Sequence, residues 1–184
     1  RLHQAGQFPE AAQCYEQILG LNPRHFNALQ LLATLHLQTG KFASAVSLFD
    51  RAIAVRSDYP DVHSNRGNAL MGLGRPNDAI LSYNKAISLN TGFVVAYANK
   101  GNALLQLNQL EQAIASYDKA LELNPNVAVS HCNRGDALKK IGRLSEAIIS
   151  YDKAIDLDPN FVAAFTNRGN ALLELQQVED AVAS

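Results

Sequence analysis

Apolar and small residues recur along this chain at spacings of three and four, the mark of a helix with one buried face. In 60–93, Val62, Gly67, Leu70 and Leu73 form one such stripe, and Ala79, Ile80, Tyr83, Ala86, Ile87 and Leu89 a second. Between them stands Gly74, a residue able to take the left-handed conformation that ends a helix. Arg75 follows at the negative end of that helix dipole, Pro76 and Asn77 suit a new helix start, and Asp78 falls in its first turn, where negative charge is favoured. The pattern predicts one helix over 61–73 and another from Pro76 to just before Asn90, Thr91 and Gly92. Small residues at 67, 79 and 86 let the two backbones approach while Leu70 and Tyr83 fill the space.

The pattern then repeats. Gly67, Gly101, Gly135 and Gly169 lie 34 residues apart, as do Ala11, Ala45, Ala79, Ala113, Ala147 and Ala181. Tyr15, Phe49, Tyr83, Tyr117 and Tyr151 make a third series, and Pro23, Ser57, Thr91, Pro125 and Pro159 a fourth. A fixed period of this length belongs to stacked repeat architectures. The unit resembles the tetratricopeptide repeat. That family has a large residue at the fourth position, Gly or Ala at the eighth and an aromatic residue or Leu at the eleventh. It continues with Ala at the twentieth, an aromatic at the twenty-fourth, Ala at the twenty-seventh and Pro at the thirty-second. In 94–127 these are Tyr97, Gly101, Leu104, Ala113, Tyr117, Ala120 and Pro125; in 128–161, His131, Gly135, Leu138, Ala147, Tyr151, Ala154 and Pro159. In 26–59 they are Leu29, Ala33, His36, Ala45, Phe49, Ala52 and Ser57.

The resemblance implies an all-α, right-handed superhelical solenoid of antiparallel helix pairs. Four complete repeats, 26–59, 60–93, 94–127 and 128–161, are flanked by partial ones at 1–25 and 162–184. Arg1 then falls inside a first helix and Ser184 inside a second, so the chain reads as a piece of a longer array. Helix 163–175 is expected to lack most of its covering partner, exposing Ala171, Leu172 and Leu175, with Leu2, Phe8 and Tyr15 similarly lacking upstream partners at the other end. End-to-end self-association through these apolar faces follows.

One stripe lies off the packing face. The sixth positions are Asn65, Asn99, Asn133 and Asn167, and the ninth are Asn68, Asn102, Asp136 and Asn170. Spaced three apart, they share a helix face, and the family resemblance puts that face on the concave side of the solenoid. Asparagine is a mediocre helix former, so its recurrence suggests use. A carboxamide has one acceptor and two donors in a plane, matching the C=O and N–H of a peptide unit. The expected partner is therefore a protein or an extended peptide, held by its backbone. Solubility or hydrogen bonding within the array is the plainer alternative, and under the binding reading alanine at all four sixth positions leaves stability unchanged or slightly raised.

The ladder is similar to that of the O-linked N-acetylglucosamine transferase family, and Leu2-His3-Gln4-Ala5-Gly6 and Asn22-Pro23-Arg24-His25 look like repeats preceding bacterial transferases of that type. Recruiting substrates to such a domain is thus one alternative function, and structural assembly another. A clamp for a carboxylate terminus is not built. Its second positions here are Asn27, Asp61, Val95, Val129 and Ala163, and its fifth are Gln30, Ser64, Ala98, Cys132 and Thr166, without a single base.

The seventh position, usually apolar, is Arg66, Lys100, Arg134 and Arg168, with carboxylates recurring at Asp50, Asp118 and Asp152. A charge beside a packing face must pair or reach for water, so ion pairs are expected, Arg134 with Asp118 or Asp152.

Composition narrows the function. Of 184 residues 47% are hydrophobic and 18% charged, at a formal net charge of −1, which suits a packed protein and gives no field for nucleic acid or an anionic membrane. The longest apolar stretch, 28–37, is broken by Gln30, Thr34 and His36, short of the roughly 20 residues that span a bilayer. Two cysteines, Cys14 and Cys132, make no disulfide framework, which fits a reducing, cytoplasmic compartment. His63 and His131 occupy the large fourth position as packing residues. Gly72-Leu73-Gly74 ends a helix and is no phosphate loop. No catalytic residue, metal or cofactor is expected.

Overall fold

The computed structural model describes residues 8–183, and all regular structure among them is helical. In chain order the helices are α1 (Phe8–Leu21), α2 (Phe26–Gln38), α3 (Phe42–Val55), α4 (Pro60–Gly72), α5 (Pro76–Leu89), α6 (Val94–Gln106), α7 (Leu110–Leu123), α8 (Ala128–Lys140), α9 (Leu144–Leu157) and α10 (Val162–Ala183). They form two compact units that divide between Ala96 and Tyr97. The pair expected in 60–93 is α4 and α5: Pro60 opens the first, Leu73 caps it, and Pro76 opens the second.

The first unit buries Leu29 and Ala33 of α2 against Ala45, Phe49 and Ala52 of α3, with Val62 and Ala69 of α4 in the same cluster. Phe26 and Tyr59 meet at 4.9 Å between ring centroids, and the Arg56 guanidinium lies over both. Between α4 and α5 the small residue is obligatory. A Cβ placed on Gly67 would stand 2.5 Å from Cε1 of Tyr83.

The second unit repeats this contact twice. A Cβ on Gly101 would stand 2.6 Å from Cε1 of Tyr117, and one on Gly135 2.5 Å from Cε1 of Tyr151. Tyr83, Tyr117 and Tyr151 are buried to within 1% of full coverage, as an inter-helix core stripe requires.

Each helix pair turns on one residue with positive φ: Gly40, Gly74, Asn108 and Gly142, at +72°, +68°, +57° and +77°. Asparagine is among the few residues with a side chain that tolerate this region, so Asn108 keeps the turn. The next position in the series is Gln176, and there the turn is lost. Helix α10 runs unbroken from Val162 to Ala183, where the sequence pattern predicts a helix over 163–175 followed by a second. Glutamine favours the right-handed helix and nothing in its side chain rewards leaving it. Ala171, expected to be exposed, is fully buried, while Leu172 is 41% exposed. Leu2 and Ser184 lie outside the described residues.

Candidate functional site

The carboxamides of the first helices are tied to the buried tyrosines. In the first unit, the Tyr83 hydroxyl donates to Oδ1 of Asn68 at 2.9 Å. In the second, the Tyr117 hydroxyl donates to Oδ1 of Asn102 at 2.7 Å, and Nδ2 of Asn133 donates to the same oxygen at 2.9 Å. One repeat on, Oδ1 of Asp136 accepts from the Tyr151 hydroxyl and from Nδ2 of Asn167, each at 2.8 Å. The ninth-position oxygen is thus a node that joins its own repeat's tyrosine to the sixth-position asparagine of the next. Burial pushes the phenols of Tyr83, Tyr117 and Tyr151 above their ordinary range, so they stay protonated donors. Asp136, which can only accept, fixes the sense of the node.

These bonds leave other groups over. Nδ2 of Asn102, Oδ1 of Asn133 and Oδ2 of Asp136 have no hydrogen-bond partner among the described residues. No buried side-chain nitrogen or oxygen among the described residues goes without a partner, so all three atoms reach solvent. Asn65, half-buried on α4, has no partner among the described residues either, because Thr34 turns its hydroxyl onto the Gln30 carbonyl at 2.9 Å. Asn99 is half-buried on α6, and Asn170 is exposed on α10. The structure therefore forms two equivalent nodes in the second unit, Asn102 with Asn133 and Asp136 with Asn167.

The seventh-position bases form a separate polar layer. Nε of Arg66 meets Oδ1 of Asp50 at 2.6 Å while its Nη1 donates to the Ser82 hydroxyl at 2.8 Å, bridging α3, α4 and α5. Arg134 does the same with Asp118 at 2.5 Å and Ser150 at 2.7 Å across α7, α8 and α9. Arg168 pairs with Asp152. Of the two carboxylates expected for Arg134, Asp118 is the partner. Two open clefts, of about 260 and 350 Å³, are lined by equivalent positions, His63, Arg66, Ser82 and Lys85 in one unit and His131, Arg134, Ser150 and Lys153 in the other. Neither is lined by a carboxamide of the network.

The histidines serve the turns. Nε2 of His63 donates to the Ser57 carbonyl and Nε2 of His131 to the Pro125 carbonyl, each at 2.9 Å. Cys14 is exposed and Cys132 buried. Burial, then the charge of Asp136, pushes the Cys132 thiol up to about 11, which makes it unreactive near neutrality. Among the described residues, no group of three or more His, Cys, Asp or Glu side chains could hold a metal, and no helix is long and apolar enough to cross a membrane.

The link from tyrosine to ninth position escapes a reading that treats the aromatic and carboxamide stripes separately. A signal for it was present. The complete repeats with Tyr83, Tyr117 and Tyr151 carry Asn68, Asn102 and Asp136, whereas the repeat with Phe49 carries Thr34.

Tetratricopeptide-repeat family models match residues 2–68, 60–92 and 82–115, and a TPR-repeat model matches 101–142 and again 135–176. No curated protein matches the chain in sequence. Among solved structures it is similar to MamA, with a TM-score of 0.82 at 22% identity, over 86% of this chain and 92% of that one. It is similar also to YrrB, described as a TPR protein with an unusual peptide-binding site, with a TM-score of 0.80 at 21% identity over 91% and 87%. A thermophilic TPR protein of Thermus thermophilus gives 0.72 at 23% identity over 94% of both chains. At such identities the likeness is one of fold. Period, helix pairs, Gly–Tyr contacts and family models agree: the chain is an array of tetratricopeptide repeats.

Proposed function

We infer that the chain is a non-catalytic binding scaffold that holds an extended peptide along the carboxamide rows of its first helices. One observation carries this reading. In the second unit, Asn102 turns its oxygen inward and leaves its NH2 at the surface, whereas Asn133 gives a donor inward and leaves its oxygen at the surface. The inward bonds hold the two carboxamides in place, so an outward donor and an outward acceptor lie ready on neighbouring helices. A peptide unit has one N–H and one C=O and can use both. Little ordering entropy remains to be lost on binding. The peptide-binding site described for YrrB, a protein of the same fold, supports such a use of this scaffold.

The test uses a pool of acetylated, amidated decapeptides of Ala, Ser and Thr, labelled for fluorescence polarisation, against the whole chain. Each bond to a peptide amide is worth about 0.5–1.5 kcal/mol, so replacing Asn65, Asn99, Asn133 and Asn167 together with Ala should weaken binding at least tenfold. Methylating the backbone nitrogens of the peptides should weaken it similarly, and shuffling their side chains should not. Unchanged affinity per folded molecule in the fourfold variant would overturn the reading. Recruitment of substrates to a glycosyltransferase domain is a narrower form of this reading, using the same rows on the same kind of peptide. A structural assembly module would leave the rows unused, and the fourfold variant separates it from peptide binding.

A further inference from the structure

One rung of the network differs from its neighbour in chemistry while keeping its geometry. Asn102 and Asp136 occupy the same register position, and each accepts from a buried tyrosine hydroxyl and from the next repeat's asparagine. Behind these bonds Asn102 shows the solvent an NH2. Asp136 shows it a second carboxylate oxygen and a full negative charge.

That charge has no counter-ion among the described residues. Lys139, three residues on, pairs with Glu174 at 3.4 Å instead, Arg134 is committed to Asp118, and Arg168 to Asp152. The groups whose ionisation feels Asp136 are Tyr117, Cys132 and Tyr151, all neutral and all buried. A half-buried carboxylate supported only by neutral donors is less favourable than the same site with a paired charge or none. Asparagine would complete the node equally well, as Asn102 demonstrates. The negative charge at 136 therefore does something the fold does not need.

We propose that Asp136 is a specificity-determining residue of the peptide groove, selecting peptides that bring a lysine or arginine side chain to its rung. A neutral peptide finds a surface donor at Asn102 for one of its carbonyls; at Asp136 the carbonyl would face an acceptor and be repelled. A cationic side chain there gains a charge-assisted hydrogen bond, stronger than a neutral one, and the same charge disfavours an acidic peptide, so acceptance and rejection come from one residue. The inference rests on the peptide-binding reading and adds to it the class of peptide.

The experiment takes the same decapeptide pool in three forms, neutral, with one central Lys or Arg, and with one central Glu. Each is titrated against the chain and against Asp136→Asn at low and at moderate salt. The chain should prefer the basic peptides over the neutral ones by about tenfold, lose part of that preference as salt rises, and bind the acidic ones least. Asp136→Asn should bind all three alike, and should bind the neutral peptides at least as tightly as the unaltered chain does, because the repelling acceptor gives way to a donor. Asn102→Asp, which places a second carboxylate at the neighbouring rung, should deepen the preference, so the case does not rest on one variant. An undiminished basic preference in Asp136→Asn, or equal affinities in the unaltered chain, would overturn the inference and leave backbone binding standing. Absence of binding by every peptide to every variant would bring down the groove reading and this inference with it.

Discussion

Two repeats of this molecule solve the same packing problem with different chemistry. In 26–59, the sixth to ninth positions are Leu31, Leu32, Ala33 and Thr34, and the second helix brings Leu48 and Phe49. In 128–161 the same places hold Asn133, Arg134, Gly135 and Asp136, with Ser150 and Tyr151. Leu32, Ala33, Leu48 and Phe49 sit together in one apolar cluster. Arg134 and Ser150, by contrast, are hydrogen-bonded, and Tyr151 reaches past Gly135 to Asp136. The differences are coupled. A phenol that must reach the ninth position brings its ring edge against the eighth, which leaves room for glycine only. A phenyl has no such target, and Ala33 can keep its Cβ. What looks like free choice at single positions is a choice between two sets, one apolar and one polar, and the polar set is the one that furnishes groups at the surface.

The strongest way to break this comparison is to mix the sets. Gly135→Ala in the Tyr151 context overpacks the helix contact, a cost of about 1–3 kcal/mol against the roughly 1 kcal/mol that alanine gains over glycine in a helix. A lower urea midpoint is expected. In Tyr151→Phe, where the ring is released from Asp136, the same Gly135→Ala change should be nearly neutral. A double-mutant cycle reads the coupling directly, and additive effects would show that hydroxyl and glycine are independent.

The polar layer gives the next test. Arg134 keeps 24% of its side chain exposed and Asp118 keeps 51%, so solvent screens the pair and its own worth is modest. Arg134→Ala, which also removes packing and a bond to Ser150, should cost about 1 kcal/mol. Arg134→Leu with Ser150→Leu recreates the layer of Leu32 and Leu48 and should be neutral or stabilising, since a solvent-screened pair contributes little and the added apolar packing offsets its loss. A loss in the double variant larger than in Arg134→Ala would mean that the second repeat cannot accept the apolar set.

These contrasts also explain what could be read before the fold was known. The 34-residue period and the Gly–Tyr pairing were legible because packing repeats with the chain. The Arg–Asp pairing was legible because a charge beside a core must find a partner. The Tyr151–Asp136–Asn167 node was not, since it joins three helices and only the distance between side chains reveals it. The run-through of α10 was missed for a local reason. Glycine or asparagine marks a turn by what it permits, and the absence of that permission at Gln176 has no conspicuous signature of its own.

A smaller effect sharpens the division between fold and surface. Asn133→Ala removes one neutral hydrogen bond, worth about 0.5–1.5 kcal/mol, and gains some tenths through helix propensity. Asn102 keeps its tyrosine, so no buried group is stranded. Stability should fall by less than about 1 kcal/mol, which revises the expectation of no change or a gain. Asn65→Ala, at a residue with no hydrogen-bond partner among the described residues, should be neutral or slightly stabilising. Equal losses at the two sites would show that the bond from Asn133 to Asn102 contributes nothing.

The smallest expected effect is on pH dependence, and it touches both repeats through one histidine each. Burial, then Lys41, lowers the pKa of His36 below its ordinary 6.5, against a smaller pull from Glu16. Burial also leads at His131, where the Pro125 carbonyl pulls the other way and Arg134 and Lys153 add to the lowering. The folded state therefore favours the neutral rings, so near pH 8 these groups place no proton-linked load on stability. As pH falls through the ordinary value the unfolded chain takes up protons that the folded chain resists, and stability declines until the folded rings titrate as well. The urea midpoint should drop modestly between pH 7.5 and 5.5. His131→Gln should flatten part of that slope, since a glutamine amide can still donate to the Pro125 carbonyl and does not titrate in this range. His36→Gln should flatten another part, and because the two residues sit in separate units the two changes should add. A slope that survives the double variant intact would assign the pH dependence to other groups and remove the histidines from the comparison.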